Sequence, residues 1–114
     1  MDVGQQSERA GTIARLNDEM RISGRDGRMV VTQGVHSLAS FDAGELMAAI
    51  AAYDHFSPDN DPYGERDFGI FDLFGVRLYW KIDYYDRKLE FGSDDPANSE
   101  VTVRVLTVLL PSEY

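Results

Sequence analysis

The sequence contains no cysteine, little positive charge and no long apolar run. Without cysteine the chain has no disulfide, no thiolate metal site and no cysteine nucleophile, so packing alone must hold the fold. No segment approaches the ~20 consecutive apolar residues that a membrane-spanning helix needs, and residues 1–15 are polar. We therefore expect a cytoplasmic protein that does not bind membranes.

Positive charge is both scarce and scattered. Lysine and arginine number 11 against 20 aspartates and glutamates, which gives a net charge of -9. Nucleic acids and anionic membranes require clustered basic residues, so neither is expected as a direct ligand. The charges balance within residues 1–28, and the excess of acids lies in residues 29–114. We predict a single domain over 1–114, with a charge-balanced helical head and an acidic body.

Hydrophobic periodicity predicts an α+β fold. Apolar spacing indicates helices over 8–21 and from 43 to about 55, the second one capped by Asp42. Alternating or β-branched segments predict strands over 29–33, 68–73, 76–85 and 101–110, with a further extended segment at 88–91. The predicted architecture is two helices packed on one face of a mainly antiparallel sheet of about five strands.

The segment 76–85 alternates strictly between two kinds of residue. Val76, Leu78, Trp80, Ile82 and Tyr84 form an apolar row, which we expect to face the core. The other row contains Tyr79, Lys81, Asp83 and Tyr85, a combination of tyrosines and charges that is typical of protein interfaces. The alternative is a purely structural ladder of cross-strand pairs.

Two loops that contain proline concentrate the acidic residues. Residues 57–67 resemble part of a calcium-binding loop, but Ile70 stands where that loop needs a bidentate carboxylate. The second loop spans residues 92–96. We predict no metal site, no cofactor and no catalytic residue. The alternative is a metal-dependent enzyme that uses the acidic loop between Asp59 and Asp67 together with Asp83.

Four segments have a distinctive sequence: residues 60–69, 80–86, 92–96 and 104–107, of which the Lys-Ile-Asp-Tyr-Tyr-Asp run is the most specific part. Together they resemble an uncharacterised bacterial family, Domain of Unknown Function 3768. Tyr63 and Arg66 depart from it, since histidine is expected there in many relatives, and Pro111 is a further departure. The resemblance implies one compact domain and no known activity. It also implies a setting on plasmids or phages, where small acidic proteins often antagonise host defence.

These observations lead to a hypothesis of a non-enzymatic acidic protein-binding module. We expect it to inhibit a bacterial defence complex, of the anti-CRISPR or anti-restriction type, by mimicking nucleic acid on a basic surface. The partner is then a basic nucleic-acid-binding protein or complex. A regulatory or toxin-antitoxin partner protein is the remaining alternative, and an exposed strand edge is compatible with a homodimer. The predicted protein-binding residues are Asp59, Asp61, Glu65, Asp67, Tyr79, Lys81, Asp83, Tyr85, Asp86, Asp94 and Asp95.

Overall fold

The structure of the protein is a computed structural model that describes residues 3–25 and 27–114, with side chains from residue 8 onward. Over these residues it is an α+β domain with three helices, four strands and a final 3-10 turn. The elements in chain order are α1 (Val3–Ser23), β1 (Gly27–Val31), α2 (Gln33–His36), α3 (Ala43–Ala52), β2 (Phe68–Leu73), β3 (Val76–Tyr85), β4 (Val103–Leu109) and the 3-10 turn Pro111–Glu113.

The four strands form one mixed sheet in the order β1-β4-β3-β2. β3 pairs antiparallel with both β2 and β4, whereas β1 pairs parallel with β4. The predicted α+β class is confirmed, and two of the three strand pairings are antiparallel. Among the described residues the sheet has four strands rather than about five, β1 pairs in parallel, and the short helix α2 is additional to the two helices that we predicted. The chain leaves β1 through two helices and a β-hairpin, and β4 then runs beside β1 in the same direction.

Residues 88–91 do not form the extended segment that we predicted. The Asp86 carboxylate accepts a hydrogen bond from the amide of Glu90 at 3.0 Å, and Leu89 has a φ of 58°. These features close a tight turn, which competes with extended backbone. Among the described residues, one isolated antiparallel bridge, between Tyr85 and Gly92, joins the chain after this turn to β3.

A two-residue turn joins β2 to β3. Phe74 and Gly75 both have positive φ, 57° and 76°, as a hairpin turn of this length requires. A left-handed phenylalanine is uncommon, but its ring packs against the core and lies 5.8 Å from the ring of Phe41. This packing compensates for the backbone strain.

The core lies on one face of the sheet. Trp80, Leu78 and Ile82 of β3 point to this face, as the alternation predicted, and Leu106 and Val108 of β4 lie beside them. The helices contribute further buried residues to this cluster, among them Met20, Val35, Leu46 and Ile50. The predicted cap of α3 is confirmed, because the Asp42 carboxylate accepts the Glu45 amide at 2.9 Å.

Helix α1 is an integral part of the domain. Ile13, Asn17 and Met20 are fully buried, and Arg21 is only 5% exposed. The Arg21 guanidinium donates to the carbonyls of Ile50 and Tyr53 at 2.7 and 2.9 Å, so it satisfies the carboxyl end of α3. α1 spans Val3–Ser23 and is longer than the predicted 8–21. The prediction began too late because the first turn of the helix contains no residue of the apolar stripe. No helix in the described part of the chain is long and apolar enough to cross a membrane.

Candidate protein-binding site on the outer face of the sheet

The face of the sheet opposite the helices carries the second row of β3. We call it the outer face and define it by Tyr79, Lys81, Asp83 and Tyr85. All four side chains are half-buried. Their partners on β4 are Val103, Val105, Thr107 and Leu109. The predicted alternation of β3 is confirmed. The outer face is thus a mixed polar and aromatic surface on a rigid strand.

An ion pair occupies the middle of the outer face. The ammonium of Lys81 lies 2.9 Å from a carboxylate oxygen of Asp83, and both side chains are partly exposed at 38% and 41%. The hydrogen bond to Asp83 is the main reason why the pKa of Lys81 is raised above its ordinary value. The pair is partly exposed, so it contributes little stability and remains accessible to a partner.

Three aromatic rings cluster beside this ion pair. Phe68 of β2 lies 5.4 Å from Tyr79 in an edge-on arrangement, and Tyr114 contacts both rings at 6.1 and 5.8 Å. The 3-10 turn after β4 directs Tyr114 back over the sheet. Edge-on contacts of this kind hold aromatic side chains in fixed orientations. The cluster therefore forms an ordered wall on the outer face.

The acidic loop 57–67 lies next to the outer face. The carbonyl of Asp67 accepts the amide of Ile82 at 2.8 Å, which places the end of the loop against β3. Burial raises the pKa of Asp67, and the negative charges of Glu65, Asp61 and Asp83 raise it further. Asp67 thus lies within electrostatic reach of two other loop carboxylates and of Asp83. Asp59 of the same loop is exposed, and the acids influencing Asp67 do not include it.

The remaining predicted acidic residues, Asp86, Asp94 and Asp95, make different contacts from those of the 57–67 loop. Asp95 forms an ion pair with Arg9 of α1 at 3.2 Å and also accepts the amide of Ala97. Asp86 closes the turn described above, and Asp94 lines a shallow depression beside it. Both acidic loops lie at the end of the sheet where β3 ends, but no hydrogen bond or ion pair among the described residues joins them. The predicted site residues therefore divide into two groups.

A buried polar network lies on the helical side of the same end. The Tyr84 hydroxyl accepts from Asn17 at 2.8 Å and donates to Glu65 at 3.0 Å, and Asn17 accepts the Arg104 guanidinium at 2.6 Å. Arg104 also donates to the carbonyl of Pro96 and lies over the Tyr84 ring at 5.2 Å. Burial raises the pKa of Tyr84 strongly, so its hydroxyl stays protonated.

This network holds Glu65 on the helical side of the sheet, apart from the outer-face residues that we predicted to bind the same partner. The sequence did not reveal it, because asparagine and arginine are usually surface residues and Asn17 and Arg104 are buried here. The available signal was the alternation of β4, because Arg104 shares its inward phase with Leu106 and Val108.

The carboxylates of both loops are chemically suited to metal ligation, but their positions are not. Among the residues that the structure describes, no three histidine, aspartate or glutamate side chains converge as metal ligands would.

Comparison with known proteins identifies the family of the chain. No curated protein and no solved structure is significantly similar to it. Residues 31–113 match the model of a family described as Protein of unknown function (DUF3768), a span that contains all of the predicted site residues and most of the sheet. The protein therefore belongs to the DUF3768 family.

Proposed function

We propose that the protein is a non-enzymatic acidic binding module that occupies a basic nucleic-acid-binding surface of a partner protein. The observation that carries this proposal is that Asp67 and Asp83 line one depression of the outer face. There burial raises the pKa of Asp67, and repulsion from the negative charges of Glu65, Asp61 and Asp83 raises it further. Such repulsion persists only where little positive charge compensates it. A basic partner would supply the missing compensation.

Electrostatics explain how such a surface would compete with nucleic acid. Basic clefts attract phosphates through long-range fields, and binding releases their condensed counterions. Carboxylates on a folded surface exert the same attraction and accelerate encounter with the partner. The outer face adds Tyr79 and Tyr85, which are suited to the centre of an interface.

The proposed partner class includes bacterial defence complexes, such as restriction enzymes and CRISPR surveillance complexes. These bind nucleic acid along basic channels, and in this proposal the protein inhibits them by occupying the channel. Support for a basic partner comes from the net charge of -9. The defence setting is the one that the family resemblance implies.

The proposal is tested by measuring binding to a panel of basic nucleic-acid-binding proteins as salt is varied. We expect the affinity for a true partner to fall at least about ten-fold between about 50 and 200 mM salt, and we expect DNA to compete. An affinity that does not change with salt would contradict the mechanism.

A matched pair of variants localises the effect. The triple variant Asp61→Asn, Asp67→Asn and Asp83→Asn removes three charges beside the outer face. The control Asp54→Asn, Glu90→Gln and Glu100→Gln removes three exposed charges elsewhere. The first variant should weaken binding more than the control. Equal losses would show that only net charge matters.

A further inference from the structure

A cleft lies on the outer face around Lys81 and Asp83. Two adjoining depressions of about 370 and 310 Å³ share these two residues and Tyr114. Pro62 and Tyr63 of the loop 57–67 line one side. Depressions of this size are large enough for one long side chain of a partner protein.

The charges around this cleft are unbalanced. Asp67 and Asp83 line it directly, and Asp61 and Glu65 lie near enough to raise the pKa of Asp67. Among the described residues of the lining, Lys81 alone is basic, and it is already paired with Asp83. In the same part of the chain no basic side chain lies within ion-pair distance of Asp67. The cleft is therefore complementary to an additional cation.

Two tyrosines that line the cleft are largely exposed. Tyr63 is 81% exposed and Tyr114 is 75% exposed, although both have large faces that favour contact. The flat face of an aromatic ring attracts cations, and it attracts the planar guanidinium of arginine more effectively than the compact ammonium of lysine.

The protein already holds one of its own arginines in this manner. The Arg66 guanidinium lies over the Phe56 ring at 5.0 Å and pairs with Asp18 at 3.0 Å. A carboxylate and an aromatic face within reach of one guanidinium thus form a stable arrangement in this fold. The cleft offers the same two elements, Asp67 and the tyrosine rings, to an external group.

We propose that the cleft between the 57–67 loop and Tyr114 binds an arginine side chain of the partner protein. The guanidinium pairs with Asp67 and the free oxygen of Asp83, and it packs against Tyr63 or Tyr114. This inference rests on the proposed function and specifies the chemistry of the partner at one position. Lys81 holds Asp83 in place and lowers the affinity for a bare cation, so the aromatic contact provides the selectivity.

The test uses two short peptides as probes, acetyl-Gly-Arg-Gly-amide and acetyl-Gly-Lys-Gly-amide, titrated into the isotope-labelled full chain at low salt. We expect saturable NMR shifts at Phe68, Lys81, Asp83 and Tyr114 with the arginine peptide. The lysine peptide should bind about five-fold more weakly, because it lacks the planar contact. Equal affinities, or shifts spread over all acidic residues, would overturn the proposal.

Variants identify the groups involved. Tyr114→Ala and Asp67→Asn should each weaken the arginine peptide several-fold. Glu90→Gln removes one exposed charge outside the cleft and should leave the affinity unchanged. The proposal fails if Tyr114→Ala and Asp67→Asn bind like the wild type while their spectra show intact folds.

The outcomes for the cleft and for the general function are separable. If a basic protein binds in the salt-dependent panel and Tyr114→Ala has no effect on that affinity, the proposed function stands and the arginine site is wrong. If the arginine peptide binds in the cleft but no panel protein binds, the site stands as a cation-binding cleft and the proposed function is wrong.

Discussion

At the scale of single residues, Asp67 combines a structural cost with a proposed role in binding. Its pKa is raised from the ordinary value of 3.8, so the fold favours its protonated form. The stability that this group contributes is fully present below that value and is lost as pH rises through the higher folded-state pKa. We predict that Asp67→Asn unfolds at a higher urea concentration than the wild type at pH 7.

The advantage of Asp67→Asn should disappear below pH 3.8, where the wild-type carboxyl group is also neutral. Asp59→Asn is the matched control, because it removes one charge from the exposed part of the same loop. The interpretation would be wrong if both variants gained the same stability at pH 7.

The close packing of Trp80 against the backbone leaves no room for a side chain at Gly69. A Cβ atom at this position would lie 2.2 Å from the indole nitrogen and 2.8 Å from the ring of Tyr53. Both rings are buried and cannot retreat, so we predict that Gly69→Ala destabilises the protein by about 1–3 kcal/mol. Chemical denaturation followed by tryptophan fluorescence measures this loss.

Gly11 provides the contrasting substitution. It lies inside α1, and a Cβ atom added there would meet no atom of the described residues within 4 Å. Gly11→Ala should stabilise the protein by about 1 kcal/mol through helix propensity alone. If the two alanine variants changed stability in the same direction, steric exclusion at Gly69 would not be the cause.

At the scale of elements, a carboxylate joins the 3-10 turn to the start of α2. Glu113 accepts the amide of Leu110 at 2.8 Å, the hydroxyl of Thr32 at 2.7 Å and the amide of Gly34 at 3.2 Å. The bond from Leu110 is the main reason why the pKa of Glu113 falls below its ordinary value of 4.5. The resulting stability is present above pH 4.5 and is lost as pH falls through the folded-state pKa.

We therefore predict that Glu113→Gln is less stable than the wild type at pH 7 and that the difference narrows below pH 4.5. Unfolding curves at several pH values measure this difference. Ser112→Ala, in the same exposed turn, is the control and should keep the wild-type pH dependence. A constant difference between wild type and Glu113→Gln at all pH values would contradict the role of the charge.

The elements that the sequence predicted best are those with a strong local pattern. β2 and β3 have the predicted bounds because their alternation and the Phe74-Gly75 turn act over a few residues. The parallel pairing of β1 with β4 depends on contacts far apart in the chain, which no local pattern encodes. The same limit applies to the site, since the path of the 57–67 loop depends on distant contacts such as the hydrogen bond from Asn17 to the carbonyl of Glu65.

At the scale of the whole molecule, the charge-balanced head packs against the acidic body through buried polar contacts. Arg21 completes α3, and Asn17 bonds both Tyr84 and Arg104. The balanced charge of the head did not indicate that it packs into the core, because arginine is usually a surface residue and Arg21 is buried. We predict that a fragment comprising residues 27–114 shows no cooperative unfolding by circular dichroism.

Arg9→Ala in the full chain is the control for that truncation. It removes only an exposed ion pair with Asp95, so it should change stability by less than about 1 kcal/mol. A cooperative transition in the fragment would show that the family-matched region folds without α1.

The mixed sheet also determines when the protein can fold during its synthesis. β4 lies between β1 and β3, yet it is the last of the four strands to leave the ribosome. β1 has no strand to pair with until β4 has emerged, and pairings between distant segments form slowly. The β2-β3 hairpin can form early, whereas β1 must wait with its apolar residues uncovered, a period in which chaperone binding or aggregation would compete with folding.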